Sequence, residues 1–149
     1  MILAPPIAES LAAVRRNIDR AARRAGRDPS QVTLIAVSKA FPVDAIEEAR
    51  RAGQMHFGEN RVQELSAKAS EIGSGLRWHF VGRLQRNKVK QVLDTGAVIH
   101  SVDRPVLADE ISRRAAGPIQ VLAEVNLTGE EQKGGVEPAD LPALVRHVL

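Results

Sequence analysis

Short apolar runs alternate with amphipathic stretches along the chain, and this alternation restricts the possible folds more than any other sequence feature. The apolar runs predict strands at residues 32–41, 55–57, 76–82, 97–102 and 119–127. The stretches around them predict helices from about Pro6 to Arg24 and at residues 44–53, 60–72, 85–93, 104–116 and 138–149. Strands that alternate with helices in this way form a parallel sheet covered by helices.

Two architectures share this pattern: an open doubly wound sheet and a closed barrel of eight strands. The open sheet predicts a glycine-rich fingerprint after the first strand, and the segment VSKAFPVDA contains no glycine. A barrel places functional residues at the carboxyl ends of its strands. Polar residues follow the predicted strands at Lys39, at Gly58, Glu59 and Asn60, at 82–87, at Ser101 and Asp103, and at Asn126.

We therefore predict an α/β chain that forms part of a TIM-type barrel. That fold typically takes roughly 250 residues and eight strands. This chain has 149 residues and about five predicted strand–helix units after an N-terminal helix. The expectation is a single barrel-type domain over residues 1–149 that is incomplete at its C-terminus.

Composition excludes several classes of function. With no cysteine, the chain has no thiolate nucleophile, disulfide or cysteine-based zinc site. A net charge of +3 and an aromatic content of 3% argue against a dedicated nucleic-acid-binding protein. No apolar stretch approaches the roughly 20 residues that span a bilayer, and the first residues lack the blocks of a secretion signal. A cytoplasmic protein with no membrane partner is the expectation.

The run VTLIAVSKAF is rich in β-branched residues, as in a strand buried on both faces, and it contains Lys39 near its end. A lysine in this position either reaches solvent with its stem on apolar surface or presents a reactive amine. Its position alone does not decide between the two.

Three polar residues near predicted helix starts have a simple structural interpretation as N-caps. These are Asp44, Asp103, and Asn60, which would form a capping box with Gln63. Three histidines, His56, His79 and His100, fall on successive strands. They could hold a catalytic zinc ion, as in a metal hydrolase, or they could be hydrogen-bonded core histidines.

The strand-end clusters together resemble the pyridoxal phosphate homeostasis protein family, also called the YggS or PROSC family. The resemblance rests on VSKAFPVDAI, HFGENRVQE, WHFVGRLQRNKVKQV, IHSVD and EVNLTGEEQKGGV, in this order. It implies the barrel fold of the alanine racemase N-terminal domain. It also implies a cofactor, pyridoxal 5'-phosphate (PLP), held as an aldimine on Lys39, with Asn60 and His79 near the cofactor.

The chemistry of Lys39 suits this role, because an aldimine forms from a neutral amine and desolvation at the end of an apolar strand disfavours the ammonium. Lys133 matches a lysine-containing loop of the family and is either a second amine or an exposed loop residue. The sequence departs from the commoner family pattern at Arg61, Arg83, Arg86 and Gly134, which adds positive charge near the predicted barrel mouth.

The resemblance implies a carrier and regulator of PLP within the cell, with PLP-dependent apoenzymes as possible partners and a monomeric full-length protein. The alternative is a racemase-like PLP enzyme. In the alanine racemases a tyrosine from an additional domain transfers the second proton, and this chain contains no tyrosine. We therefore expect no racemase activity.

Members of the family continue beyond the point that matches Leu149. The resemblance places the groups that hold the cofactor phosphate in that later part. A phosphate needs fixed donors, and within this chain the turn at Gly134 and Gly135 is a weak candidate. The expectation is a truncated family member that binds PLP weakly on its own and has open sheet edges prone to association.

Overall fold

A computed structural model describes residues 5–130 and 132–149. Its helices are α1 (Ile7–Arg24), α2 (Val43–Arg51), α3 (Val62–Ile72), α4 (Val89–Leu93), α5 (Pro105–Arg114) and α6 (Leu141–Val148). Its strands are β1 (Ala36–Val37), β2 (His56–Glu59), β3 (Arg77–Phe80), β4 (Val98–Val102) and β5 (Val121–Ala123). Short 3-10 turns occupy Pro29–Gln31 and Arg86–Lys88. The predicted order of helices and strands is confirmed.

The strands form one parallel sheet in the order β1-β2-β3-β4-β5. Spatial order therefore follows chain order, and each helix between two strands provides the crossover that parallel pairing requires. An isolated parallel bridge between Val125 and Val136 continues the pairing beyond β5. This is the architecture expected of part of a TIM-type barrel, which bears out the predicted fold class.

The two faces of the sheet have different chemistry because successive side chains of a strand point to opposite sides. The outer face carries Phe57, Trp78, Phe80 and Ile99, which lie in the main hydrophobic core. The helices contribute further fully buried side chains to this core, including Ile46, Leu65, Val92 and Leu107. The inner face carries Val37, Gly58, His79 and Val98, paired in that order across β1 to β4.

The prediction for residues 32–41 is wrong in two respects. The regular strand covers only Ala36 and Val37, and it is not buried on both faces. Ala36 packs against the core, whereas Val37 on the inner face is 48% exposed. The helices cover only the outer face of the sheet at this strand. The β-branched residues of the run predict a strand but do not show whether one or both of its faces are covered.

The three predicted N-caps are also wrong, although the helices exist. Helix α2 begins at Val43 after Pro42, so Asp44 lies inside the first turn, where its charge favours the helix dipole. Helix α3 begins at Val62, and its N-cap position is taken by Arg61 in an extended conformation rather than by Asn60. Helix α5 begins at Pro105, and Asp103 instead accepts a hydrogen bond from Arg104. Proline fixes the helical φ at the first position of α5 and thereby sets its start.

Gly82, just after β3, lies against the backbone of Asn60, just after β2. A Cβ atom at Gly82 would lie 2.2 Å from the carbonyl oxygen of Asn60, so the two chain segments approach each other closely. This contact joins the carboxyl ends of neighbouring strands. Only a residue without a side chain fits here.

We expect Gly82→Ala to lower the free energy of unfolding by about 1–3 kcal/mol, because the added methyl group overpacks a backbone contact. Urea unfolding measures this change. The matched control is Gly117→Ala, since a Cβ atom at Gly117 has no neighbour within 4 Å; its effect should stay within about 0.5 kcal/mol. Equal effects of the two substitutions would contradict the predicted role of the Gly82 contact.

Candidate cofactor site at the strand ends

Lys39 lies in a tight turn that directly follows β1. The N–H of Phe41 donates a hydrogen bond to the carbonyl oxygen of Ser38 at 3.0 Å, which closes the turn around Lys39. Ala40 has a φ of +63°, a left-handed conformation that is uncommon for a residue with a side chain. The Lys39 side chain is exposed, so the expectation that it is desolvated is wrong. Its amine is accessible at the carboxyl edge of the sheet.

The residues on either side of Lys39 are held by hydrogen bonds. The N–H of Ser38 donates to the carbonyl oxygen of Gly58 at 2.9 Å, and the Ser38 hydroxyl donates to a Glu59 carboxylate oxygen at 2.8 Å. The N–H of Ala40 donates to Oε2 of Glu64 at 3.0 Å. The backbone that carries the amine is thus fixed while the side chain itself reaches solvent.

Asn60 follows β2 at the same edge of the sheet, because β1 and β2 are neighbouring parallel strands. Its side chain is exposed and forms no side-chain hydrogen bond with any residue that the structure describes. The amide is therefore able to donate to and accept from a ligand. Sequence reasoning identified this residue correctly as lying at a strand end.

The three histidines form a chain of hydrogen bonds across β2, β3 and β4. Nδ1 of His56 lies 2.9 Å from Nε2 of His79, and Nδ1 of His79 lies 2.9 Å from Nε2 of His100. We call these three residues the histidine chain. Each contact needs one proton, so the neutral rings must adopt matching tautomers. A chain of this kind accepts one further proton, at a terminal nitrogen, without losing either contact.

His79 lies in the inner-face row that starts at Val37, two residues before Lys39. Gly58 lies between Val37 and His79 in this row and has no side chain to separate them. Burial first, and then the charges of His100, His56 and Arg77, together lower the pKa of His79 to about 4. Burial also lowers the pKa of His100. His79 and His100 are therefore neutral near pH 7.

A metal site on the three histidines has no support in the geometry. Within residues 5–130 and 132–149, no group of three or more His, Cys, Asp or Glu side chains is arranged to hold a metal ion. Both ring nitrogens of His79 are engaged with its histidine neighbours. A nitrogen that takes part in such a contact is not free to bind zinc.

Lys133 lies in the loop between β5 and α6. Its exposed ammonium pairs with Glu130. Gly135 has a φ of +110°, and a Cβ atom there would lie 2.5 Å from the backbone nitrogen of Asn126. A Cβ atom at Gly134 would lie 3.1 Å from a carboxylate oxygen of Glu124. These glycines allow the loop to pack on the segment after β5, and the nearby carboxylate is unfavourable for a phosphate.

The extra arginines near the strand ends separate into two groups. Arg61 and Arg83 line a cavity of about 490 Å³ beside Asn60, together with Lys88 and Arg104. Arg86 instead lies 4.0 Å from Glu110 on α5. Arg61 and Arg83 thus place positive charge around a cavity at the ends of β2 and β3, whereas Arg86 faces a carboxylate on α5.

Sequence reasoning missed the buried charges beneath Lys39. Glu59 is fully buried and Lys68 is 8% exposed, and Nζ of Lys68 lies 2.7 Å from Oε1 of Glu59. The spacing of Glu64 and Lys68 indicates a pair on one helix face, which usually lies at the surface. The burial of Lys68 depends on how α3 packs on β2, and no local pattern reports this packing.

Comparison with known proteins identifies the family. The model of the alanine racemase N-terminal domain matches residues 10–149. The chain belongs to this family. It is 45% identical over 146 residues to the pyridoxal phosphate homeostasis protein of Pseudomonas aeruginosa, and the match covers 95% of this chain and 64% of the relative. The resemblance of the sequence to that group of proteins is confirmed.

Two solved structures share the fold at substantial sequence identity. PipY of Synechococcus elongatus, with PLP bound, is 41% identical with a TM-score of 0.78, and the match covers 95% of this chain and 63% of that one. A protein of Bifidobacterium adolescentis is 32% identical with a TM-score of 0.88, covering 99% and 67%. The chain thus spans just under two thirds of the curated relative from Pseudomonas and of PipY.

No helix in the described part of the chain combines the length and the apolar character needed to cross a membrane.

We expect the stability of the protein to fall as the pH is lowered from about 6.5 to about 4. The folded pKa of His79, about 4, lies below the value of 6.5 for an unperturbed histidine, so the unfolded state binds more protons in this interval. The stabilising contribution is complete above pH 6.5 and is lost as the pH falls toward 4. Urea unfolding at several pH values measures it.

The variant His79→Gln tests the assignment of this pH dependence. Glutamine has both a donor and an acceptor but does not titrate. The variant should lose part of the dependence between pH 6.5 and 4. If wild type and variant show the same slope between pH 6.5 and 4, His79 is not its source.

Proposed function

We propose that this chain binds PLP covalently through Lys39 and takes part in PLP homeostasis as a carrier rather than as an enzyme. The observation that carries the proposal is the accessible Lys39 amine on a hydrogen-bonded turn at the carboxyl edge of the sheet. The likeness to PipY, whose structure contains PLP, and to pyridoxal phosphate homeostasis proteins supports it.

The residues present fit the chemistry of such a cofactor. Lys39 offers an exposed amine, and Ala40 beside it is held in a left-handed conformation. Conformations of this kind persist where the surrounding structure holds them, often at functional sites. PLP, when bound, supplies a reactive aldehyde and a pyridine ring that withdraws electrons.

Lys39 would act as the nucleophile. Its neutral Nζ attacks the aldehyde carbon, a C=N double bond replaces the C=O bond, and the aldehyde oxygen leaves as water with the two amine protons. Because the side chain is exposed, water is available to reverse the reaction. Reversible attachment suits a carrier that releases its cargo.

Asn60 and His79 are the residues that we propose to flank the cofactor. The exposed Asn60 amide lies at the end of β2, and His79 lies in the inner-face row before Lys39. A neutral His79 adds no positive charge next to the lysine. Its ring is fixed by two hydrogen bonds, so it presents a rigid surface toward the inner side of the sheet.

We further propose that the chain passes its PLP on to other proteins. Release of PLP to PLP-dependent apoenzymes would follow from reversible attachment. An apoenzyme that gains activity when mixed with the loaded chain, and not with the loaded Lys39→Ala variant, would support this partnership.

We expect borohydride reduction in the presence of PLP to attach the label to the peptide containing VSKAF. Reduction converts the C=N bond into a stable amine, and peptide mapping by mass spectrometry locates it. Lys39→Ala should abolish specific labelling of this peptide. Lys133→Ala and Lys90→Ala are matched controls, because both residues are surface lysines paired with a carboxylate.

Two outcomes would overturn the assignment. One is a label that appears only on Lys133. The other is equal labelling of many surface lysines, which would mean that Lys39 has no special reactivity toward the cofactor.

A further inference from the structure

We propose that the buried side chains of Glu59 and Lys68, together with Glu64, form a clamp that positions Lys39 for its reaction. This inference rests on the proposed attachment of PLP to Lys39. The clamp is defined by these three charged residues and by the Ser38 hydroxyl group. None of the four need touch the cofactor, so they are positioning residues.

The first half of the clamp holds the residue before Lys39. Nζ of Lys68 donates a hydrogen bond to the carbonyl oxygen of Ser38 at 2.9 Å and lies 2.7 Å from Oε1 of Glu59. The same Glu59 oxygen accepts from the Ser38 hydroxyl at 2.8 Å. Both polar groups of Ser38 that face the clamp are therefore bound to one buried ion pair.

The second half holds the residue after Lys39. Oε2 of Glu64 accepts the backbone N–H of Ala40 at 3.0 Å and lies 3.4 Å from Nζ of Lys68. Hydrogen bonding from Ala40 is the main reason that the pKa of Glu64 is lowered. The left-handed conformation of Ala40, with a φ of +63°, is energetically unfavourable, and the hydrogen bond to Glu64 offsets this cost.

The clamp joins three parts of the chain. Glu59 ends β2, Glu64 and Lys68 lie on consecutive turns of α3, and Ser38 and Ala40 belong to the turn after β1. The ammonium of Lys68 thus ties the strand, the helix and the lysine turn together at one point. Rotation of the turn about Lys39 would break contacts on both sides.

A purely structural role for the ion pair is the competing explanation. Replacing both members of a buried ion pair by uncharged residues of similar shape is often neutral for stability, whereas removing one member leaves a buried charge without a partner. A double variant therefore separates the two explanations. If the clamp positions Lys39, the double variant should fold normally but leave the turn that carries Lys39 less well ordered.

The decisive variant is Glu59→Gln/Lys68→Met, compared with wild type and with the surface control Lys90→Met. Thermal unfolding measures stability, and the rate of borohydride-trapped PLP attachment to the VSKAF peptide measures positioning. We expect the double variant to unfold near the wild-type temperature but to react about 10- to 100-fold more slowly, because small misplacements have effects of this size. The control should match wild type in both measurements.

Hydrogen exchange of the Ala40 amide provides a measurement that does not depend on PLP. Glu64→Gln, at a partly exposed residue that keeps its shape, should increase exchange at Ala40 by about tenfold or more, since a charged acceptor binds more strongly than a neutral one. This variant also carries the test if the double variant does not fold.

The outcomes separate the two proposals. Wild-type attachment to Lys39 with an unchanged rate in the folded double variant would overturn the clamp and leave the proposed function intact. Failure of wild-type Lys39 to react, with faster Ala40 exchange in Glu64→Gln, would overturn the function and retain the clamp's hold on the turn. Unchanged Ala40 exchange in Glu64→Gln would overturn the second half of the clamp.

Discussion

Parallel pairing of the strands in chain order is the constraint on which the site depends. Because β1 to β5 are neighbours in sequence and in space, their carboxyl ends meet at one edge of the sheet. Lys39 and Asn60 come together there although 20 other residues separate them in the chain. The same pairing places Val37, Gly58, His79 and Val98 in one row. No local motif creates this site; the register of the sheet does.

The alternation of side chains across the sheet assigns separate tasks to its two faces. Phe57 and Trp78 on the outer face pack into the core, while the adjacent His56 and His79 on the inner face contact each other. Since the two sets alternate within β2 and β3, a shift of register by one residue would bury imidazoles among apolar side chains. The apolar core thus fixes the register of the strands and, with it, the position of the histidine chain. The position of Lys39 follows from the same strand order, because this residue comes just after β1.

The sequence predicts the order of helices and strands because each of them shows its hydrophobic periodicity within its own segment of the chain. It also identifies Lys39 as the residue that ends an apolar run. It does not predict the exposure of Val37 or the burial of Lys68, because both depend on which element covers which face. The helix starts are displaced by one or two residues from Asp44, Asn60 and Asp103, since proline and extended backbone conformations override the capping preference of the side chains. The sequence does not predict the hydrogen bonds of the histidine chain, because they depend on the distances between neighbouring strands.

The buried charges near Lys39 are difficult to explain by stability alone. Taking a carboxylate and an ammonium out of water costs several kcal/mol for each ion, and their attraction offsets this cost only when hydrogen bonds satisfy the remaining groups. Here Oε2 of Glu59 has no hydrogen-bond partner among the described residues, so the offset is incomplete. An apolar contact between α3 and β2 would hold these elements together at lower cost, but it would leave the carbonyl oxygen and the hydroxyl group of Ser38 without their present partners, Lys68 and Glu59. The backbone groups of a turn can be held only by polar partners, because they form hydrogen bonds. This requirement accounts for the position of the ion pair directly beneath Lys39.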